Sequence, residues 1–262
     1  MDLGLNGKIA LLTGASRGLG FATAKVLAQE GVRIAINARD EKRLSAAGDE
    51  LAKTGADVIS LPGDVTDPET PEKLVGATFA VLGGLDLLFT NAGGPPPSRF
   101  EEITDETWQD AIELSFMSHV RLIRAALPIL KGSKIPSVLT VTSISIKQPI
   151  PNLVLSNSIR AATAGLTKTL ALELGNAGIR FNSILPSWTH TERVESLLQD
   201  RAARKGTSVQ DEIDVQNEQS PLGRMAEPEE FARAATFLLS PAASYITGVM
   251  LPVDGGTYKG LF

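Results

Sequence analysis

Cysteine is absent from this chain of 262 residues, which excludes disulfides, thiolate nucleophiles, iron–sulfur clusters and cysteine-ligated zinc together. Histidine occurs only twice, as His119 and His190. Neither has a second histidine or a carboxylate at helical ligand spacing, so no metal site is expected. Long apolar runs are also missing: the uncharged stretch from Thr236 to Val253 is broken by Pro241, Gly248 and Pro252, which does not suit a membrane span. Positive charge is in deficit, with 25 Lys plus Arg against 30 Asp plus Glu and a net charge of −5. That balance argues against a nucleic-acid partner held by phosphate charge. The opening Met1-Asp2-Leu3-Gly4 carries no basic region leading into an apolar run, so the expectation is no secretory signal and a cytoplasmic location.

What is present is ordinary globular material: 43% hydrophobic and 21% charged residues, with 24 Gly and 15 Pro. The length and the lack of a linker predict one α/β domain over residues 1–262. Apolar runs bounded by turn residues recur at Lys8–Thr13, Val32–Asn37, Asp57–Leu61, Asp86–Thr90, Ser137–Thr142, Ile179–Leu185 and Met250–Val253. They are short and nearly continuous in apolar character, as in strands covered by helices on both faces. Helical periodicity fills the gaps, at Leu19–Glu30, Asp40–Lys53, Pro68–Leu82, Asp105–Leu130, Leu153–Ala177 and Pro228–Leu238. The alternation predicts a Rossmann-type three-layer α/β/α fold around a doubly wound, mostly parallel, seven-stranded sheet. The polar, helix-prone segment from Thr191 to Gln219 interrupts it and reads as a mobile flap, with Leu197, Leu198, Val209 and Ile213 as an apolar lining.

After the first strand, Thr13-Gly14-Ala15-Ser16-Arg17-Gly18-Leu19-Gly20 leads straight into a helix. Gly14, Gly18 and Gly20 permit a tight turn and close backbone approach to a pyrophosphate at a helix N-terminus, with Ser16, Arg17 and Leu19 as further contacts. This Gly-x-x-x-Gly-x-Gly spacing resembles the short-chain dehydrogenase/reductase family. Asn91-Ala92-Gly93 resembles the family's Asn-Ala-Gly motif, and Gly63-Asp64-Val65 its adenine-contacting turn. Pro186 to Thr191, including Thr189, resembles the loop that cradles the nicotinamide carboxamide, with Ser187 in place of the usual Gly. The ending Ile246-Thr247-Gly248 followed by Pro252-Val253-Asp254-Gly255-Gly256 is similar to the 3-oxoacyl-acyl-carrier-protein reductase branch. The resemblance spans nearly the whole chain. It implies a nicotinamide cofactor, a small carbonyl or alcohol substrate, and a homotetramer built through the helices at 105–130 and 153–177 and the last strand.

Charge after the second strand bears on the choice of cofactor. Ala38 stands where an acid would bond the ribose of NAD(H), while Arg39 and Arg17 are placed to contact a 2′-phosphate, so NADP(H) is favoured. Asp40 keeps NAD(H) open as the alternative.

The family's catalytic pattern is broken. Ser143 matches its serine, but thirteen residues on stands Ser156 in place of Tyr, and four further Arg160 in place of Lys. Ser115, seven residues after Trp108, holds the Asn position. A serine hydroxyl is a far weaker acid than a phenol, and a guanidinium does not relay protons at neutral pH. Tyr245 and Tyr258 read as structural, Tyr245 as packing before the last strand; His190 and Lys147 are candidate reactive groups beside the substrate space, and His119 reads as a packed or interface residue. Two readings follow: an oxidoreductase with an atypical site using Ser143, Ser156, Arg160 and Ser115, or a non-catalytic dinucleotide-binding sensor or subunit.

Overall fold

The computed structural model describes residues 2–261. Seven strands, β1 (Ile9–Leu12), β2 (Arg33–Ala38), β3 (Val58–Pro62), β4 (Leu87–Thr90), β5 (Ser137–Val141), β6 (Arg180–Pro186) and β7 (Met250–Val253), form one sheet. Its order is β3-β2-β1-β4-β5-β6-β7, and every neighbouring pair is parallel. The helices are α1 (Gly18–Gln29), α2 (Glu41–Ala52), α3 (Thr70–Leu82), α4 (Asp105–Ile112), α5 (Ser118–Leu130), α6 (Val154–Leu174), α7 (Glu192–Lys205), α8 (Val209–Gln219) and α9 (Pro228–Leu239).

Side chains alternate across a strand, so each strand feeds two cores. Ala10 and Leu12 join Ile34, Ile36, Phe89, Phe231 and Leu238 in one layer. Ile9 and Leu11 join Leu88, Val138, Leu122, Ile123 and Phe181 in the other. β1, β4 and β5 are buried along their whole length, which is why they read as unbroken apolar runs rather than alternating ones.

The helical run expected over 105–130 is continuous but carries one π-turn, Glu113–Met117, between α4 and α5. The extra residue in that turn leaves Ser115 inside the protein, where its carbonyl accepts from Thr163 Oγ of α6 at 2.8 Å. The segment expected to be a flap forms α7 and α8, each started by a side-chain cap: Thr191 accepts from Val194 N–H, and Ser208 from Asp211 N–H. Leu198 and Ala202 anchor α7.

Candidate active site

Sheet order reverses between β1 and β4: from there the chain runs outward to β2 and β3 on one side and to β5, β6 and β7 on the other. Helices leave the two strands in opposite directions, opening a crevice at their C-terminal ends. A cleft of about 770 Å³ occupies this place.

Its floor is the loop after β1. Gly14 (φ 58°) and Gly18 (φ 55°) adopt left-handed backbone conformations. A Cβ on Gly14 would lie 2.7 Å from Asn91 O, and one on Gly20 only 2.3 Å from Gly14 O. Gly20 is therefore a packing residue behind the turn, whereas Gly14, Ser16, Arg17, Gly18 and Leu19 face the cleft. Arg17 precedes α1 without a side-chain cap, so the first N–H groups of the helix are not engaged by its side chain at the positive end of the dipole. Asn91 braces this loop: Thr13 Oγ donates to Asn91 O at 2.9 Å, and Asn91 Nδ2 donates to Gly14 O at 3.1 Å. Ala92 and Gly93 continue along the wall. The cradle of backbone N–H groups, closed to any larger side chain, fits a dinucleotide pyrophosphate.

At the β2 and β3 end the wall holds Ala38, Arg39, Arg43, Asp64 and Val65. Arg39 Nη1 lies 3.4 Å from Asp64 Oδ2. Burial raises the Asp64 carboxyl, but hydrogen bonds from Thr66 and the charge of Arg39 outweigh it and hold the group below its ordinary value. Asp40, the alternative ribose acid, is exposed and caps α2 by accepting from Arg43 N–H at 3.0 Å. Arg43, which sequence reading missed, reaches Glu192 at 3.0 Å, and Arg17 pairs with the same carboxylate. These two bonds hold Glu192 below its ordinary value. Three guanidiniums, Arg17, Arg39 and Arg43, thus line this end of the cleft.

The opposite end combines the ends of β5 and β6 with α6 and α7. Ser143 is extended and accepts from Ser145 N–H at 3.1 Å, leaving its own O–H free to donate into the cleft. Ser156 and Arg160 stand one turn apart on α6 and both line the cavity. Arg160 is buried and donates to Val141 O and Thr142 O at 3.1 Å and to Gly93 O at 3.3 Å. Burial and the neighbouring Arg193 pull its guanidinium down to about 10, so it stays charged at neutral pH. Pro186 closes β6, Thr189 Oγ donates to Ser187 O at 3.4 Å, and Thr191 is spent capping α7.

Ser115 is buried, lies off the cleft wall, and its Oγ has no partner among the described residues. His119 is buried against Thr90 at 2.7 Å, as the packed reading expects. His190 is half-exposed, 4.0 Å from Glu227, and off the cleft wall. Lys147 stacks over the Tyr258 ring. Tyr245 is a correction: it is fully exposed rather than packed. The flap's apolar lining also needs correcting, because of the four residues expected only Leu197 meets the cleft, beside the charged Glu192 and Arg193. Those two follow Thr191 directly, and their charge on the cleft wall was the overlooked signal.

The comparisons agree with this geometry. Residues 14–258 match the family model described as enoyl-(acyl carrier protein) reductase. The chain is 32% identical to the 3-oxoacyl-acyl-carrier-protein reductase of Vibrio cholerae, covering 98% of this chain and 99% of that protein. L-sorbose reductase from Gluconobacter frateurii, solved with NADPH and L-sorbose, superposes with a TM-score of 0.94 at 35% identity over 100% of both chains. A short-chain oxidoreductase of Pseudomonas aeruginosa PAO1 containing an atypical catalytic center, solved with NADPH bound, superposes with a TM-score of 0.88 at 33% identity over 97% of each chain. The chain belongs to the short-chain dehydrogenase/reductase family of oxidoreductases. Among the described residues no helix is long and apolar enough to cross a membrane, and no cluster of His, Asp and Glu could hold a metal ion.

Proposed function

We propose that this protein is an NADP(H)-dependent oxidoreductase acting on a small carbonyl/alcohol pair through a site without Tyr and Lys. The observation that carries the reading is the glycine cradle opening into a cleft whose far wall presents Ser143, Ser156 and Arg160. Held by the glycine cradle, NADP(H) would supply the hydride for a carbonyl carbon, or take it from the corresponding alcohol carbon. Ser143, one of its two lone pairs taken by Ser145 N–H, directs its O–H at the carbonyl oxygen. Arg160 adds a fixed positive charge beside that oxygen without moving a proton. Ser156 is one turn away and orders the solvent that delivers the proton. NADPH bound to the Pseudomonas protein supports cofactor binding in a relative whose catalytic center is atypical. The family resemblance further supports a cytoplasmic homotetramer, with Leu172 of α6 exposed on one of the helices that would pair.

One observation favours the non-catalytic reading: Arg160 is tied to three backbone carbonyls, a role that braces the cleft without chemistry. A single experiment separates the two. NADPH and NADH are titrated by fluorescence, and a panel of 3-oxoacyl thioesters, sugars and simple ketones is then added at 340 nm. The expected result is oxidation of NADPH that Ser143→Ala abolishes while NADPH still binds. Binding without oxidation across the panel assigns the sensor role, and no binding overturns both.

A further inference from the structure

Two guanidiniums converge at the substrate end of the cleft with no acid to neutralise them. Arg160 comes from α6 and Arg193 from the first turn of α7, and a methyl group placed on Gly94 would sit 3.2 Å from Arg193 Nη2 and 3.5 Å from Arg160 Nη2. Arg193 donates to Pro95 O at 2.7 Å, and Arg160 to the three carbonyls named above. Carbonyls satisfy N–H groups but carry no net charge. Among the described residues no Asp or Glu offsets either guanidinium; the charge acting on Arg160 is Arg193 itself. Arg193 also stands at the positive end of its own helix, where a cation is disfavoured. Elsewhere on the cleft wall the cations are paired: Arg39 with Asp64, and Arg17 and Arg43 with Glu192. Arg160 is buried while Arg193 beside it stays open to solvent at the cleft mouth, and two like charges side by side with one of them desolvated are unfavourable unless an anion joins them.

We propose that Arg160 and Arg193 form an anion subsite and that the substrate is an oxo- or hydroxycarboxylate whose carboxylate they clamp. This rests on the oxidoreductase reading above and adds the chemical class of its substrate. Position favours substrate over cofactor pyrophosphate. The pyrophosphate has its own cradle at Gly14–Gly18, whereas Arg160 is bonded to Thr142 O, the residue before Ser143. A carboxylate held there brings the neighbouring carbonyl oxygen toward the Ser143 hydroxyl. Paired guanidiniums suit a carboxylate because each offers parallel N–H donors.

The test uses the full chain loaded with NADP⁺, so that binding is read without reduction. Calorimetry is run with acetoacetate, pyruvate, oxaloacetate and methyl acetoacetate, on wild type, Arg193→Gln and Arg193→Lys. At least one carboxylate is expected to bind about tenfold or more tighter than the ester. Arg193→Gln removes that difference and Arg193→Lys restores part of it, with NADP⁺ affinity unchanged in both. Equal binding of acid and ester, or no binding by any acid, overturns the subsite. A matching loss of NADP⁺ affinity in Arg193→Gln overturns it too, by assigning the pair to the pyrophosphate. The two readings fail separately: acids that bind but are not reduced when NADPH replaces NADP⁺ leave the subsite standing without turnover. Acid and ester reduced equally well leave turnover standing without the subsite.

Discussion

On the proposed NADP(H) reading, Arg39 is the side chain on which cofactor preference turns. It is largely exposed and its partner Asp64 is half-exposed, so their ion pair contributes little to stability. Against a 2′-phosphate the same guanidinium makes a charge-assisted contact with no competing acid at Ala38. Arg39→Ala is therefore expected to weaken NADPH by about tenfold, or about 1.4 kcal/mol, while NADH changes by less than about twofold. Fluorescence titration of both cofactors checks this, and equal weakening would remove the 2′-phosphate assignment. The identity of these residues was legible in the chain, because Ala38, Arg39 and Arg17 occupy positions defined by their distance from strands. Arg43 was not, since its relevance depends on where the first turn of α2 brings its side chain: within reach of Glu192, 149 residues away.

At the scale of elements, the cleft depends on β6 and α9 holding the sheet's far half in register. Arg180 on β6 donates to Leu238 O, Leu239 O, Ser240 O and Ile246 O, at 2.7 to 3.3 Å. Three of those carbonyls belong to the end of α9, where orphan acceptors and the negative end of the dipole welcome a cation. Arg180→Ala strands these acceptors in a partly buried place, and the expected loss is about 2–4 kcal/mol, read as a lower urea midpoint. A loss below about 0.5 kcal/mol would show that water replaces the side chain freely. Periodicity found every strand to within one residue and the long helices to within three. It did not show the π-turn at Glu113–Met117, whose extra residue is accommodated only by packing against Thr163. Nor did it show that the flap segment settles into two capped helices with Arg193 on the cleft wall, since polar composition marks a surface without saying which surface.

At the scale of the whole molecule, the buried His119 couples global stability to pH. Burial, with a smaller contribution from the charge of Arg160, lowers the imidazole from 6.5 to about 3. The folded protein keeps the ring neutral where the unfolded chain protonates, so this contribution is complete above the ordinary value and is lost as pH falls toward the folded one. Between pH 6.5 and about 5, before most carboxylates titrate, wild type should lose about 1.5 kcal/mol that a His119→Gln variant does not. Urea melts across that range check it, and parallel profiles would place the ring in contact with water.

The order of apolar runs and glycines determined the doubly wound sheet and the phosphate loop by itself, because burial on both faces and left-handed turns constrain residue type locally. The expectation that Ser156 and Arg160 stand where the family carries Tyr and Lys was equally a matter of spacing along one helix. Only the tertiary structure decided that Arg160 is bonded to the ends of β4 and β5 and meets Arg193 from α7, 33 positions later in the chain. Charge in a sequence is a count, whereas the energy of two charges depends on their separation and on how much water lies between them. Folding brought this pair together and left the acids elsewhere.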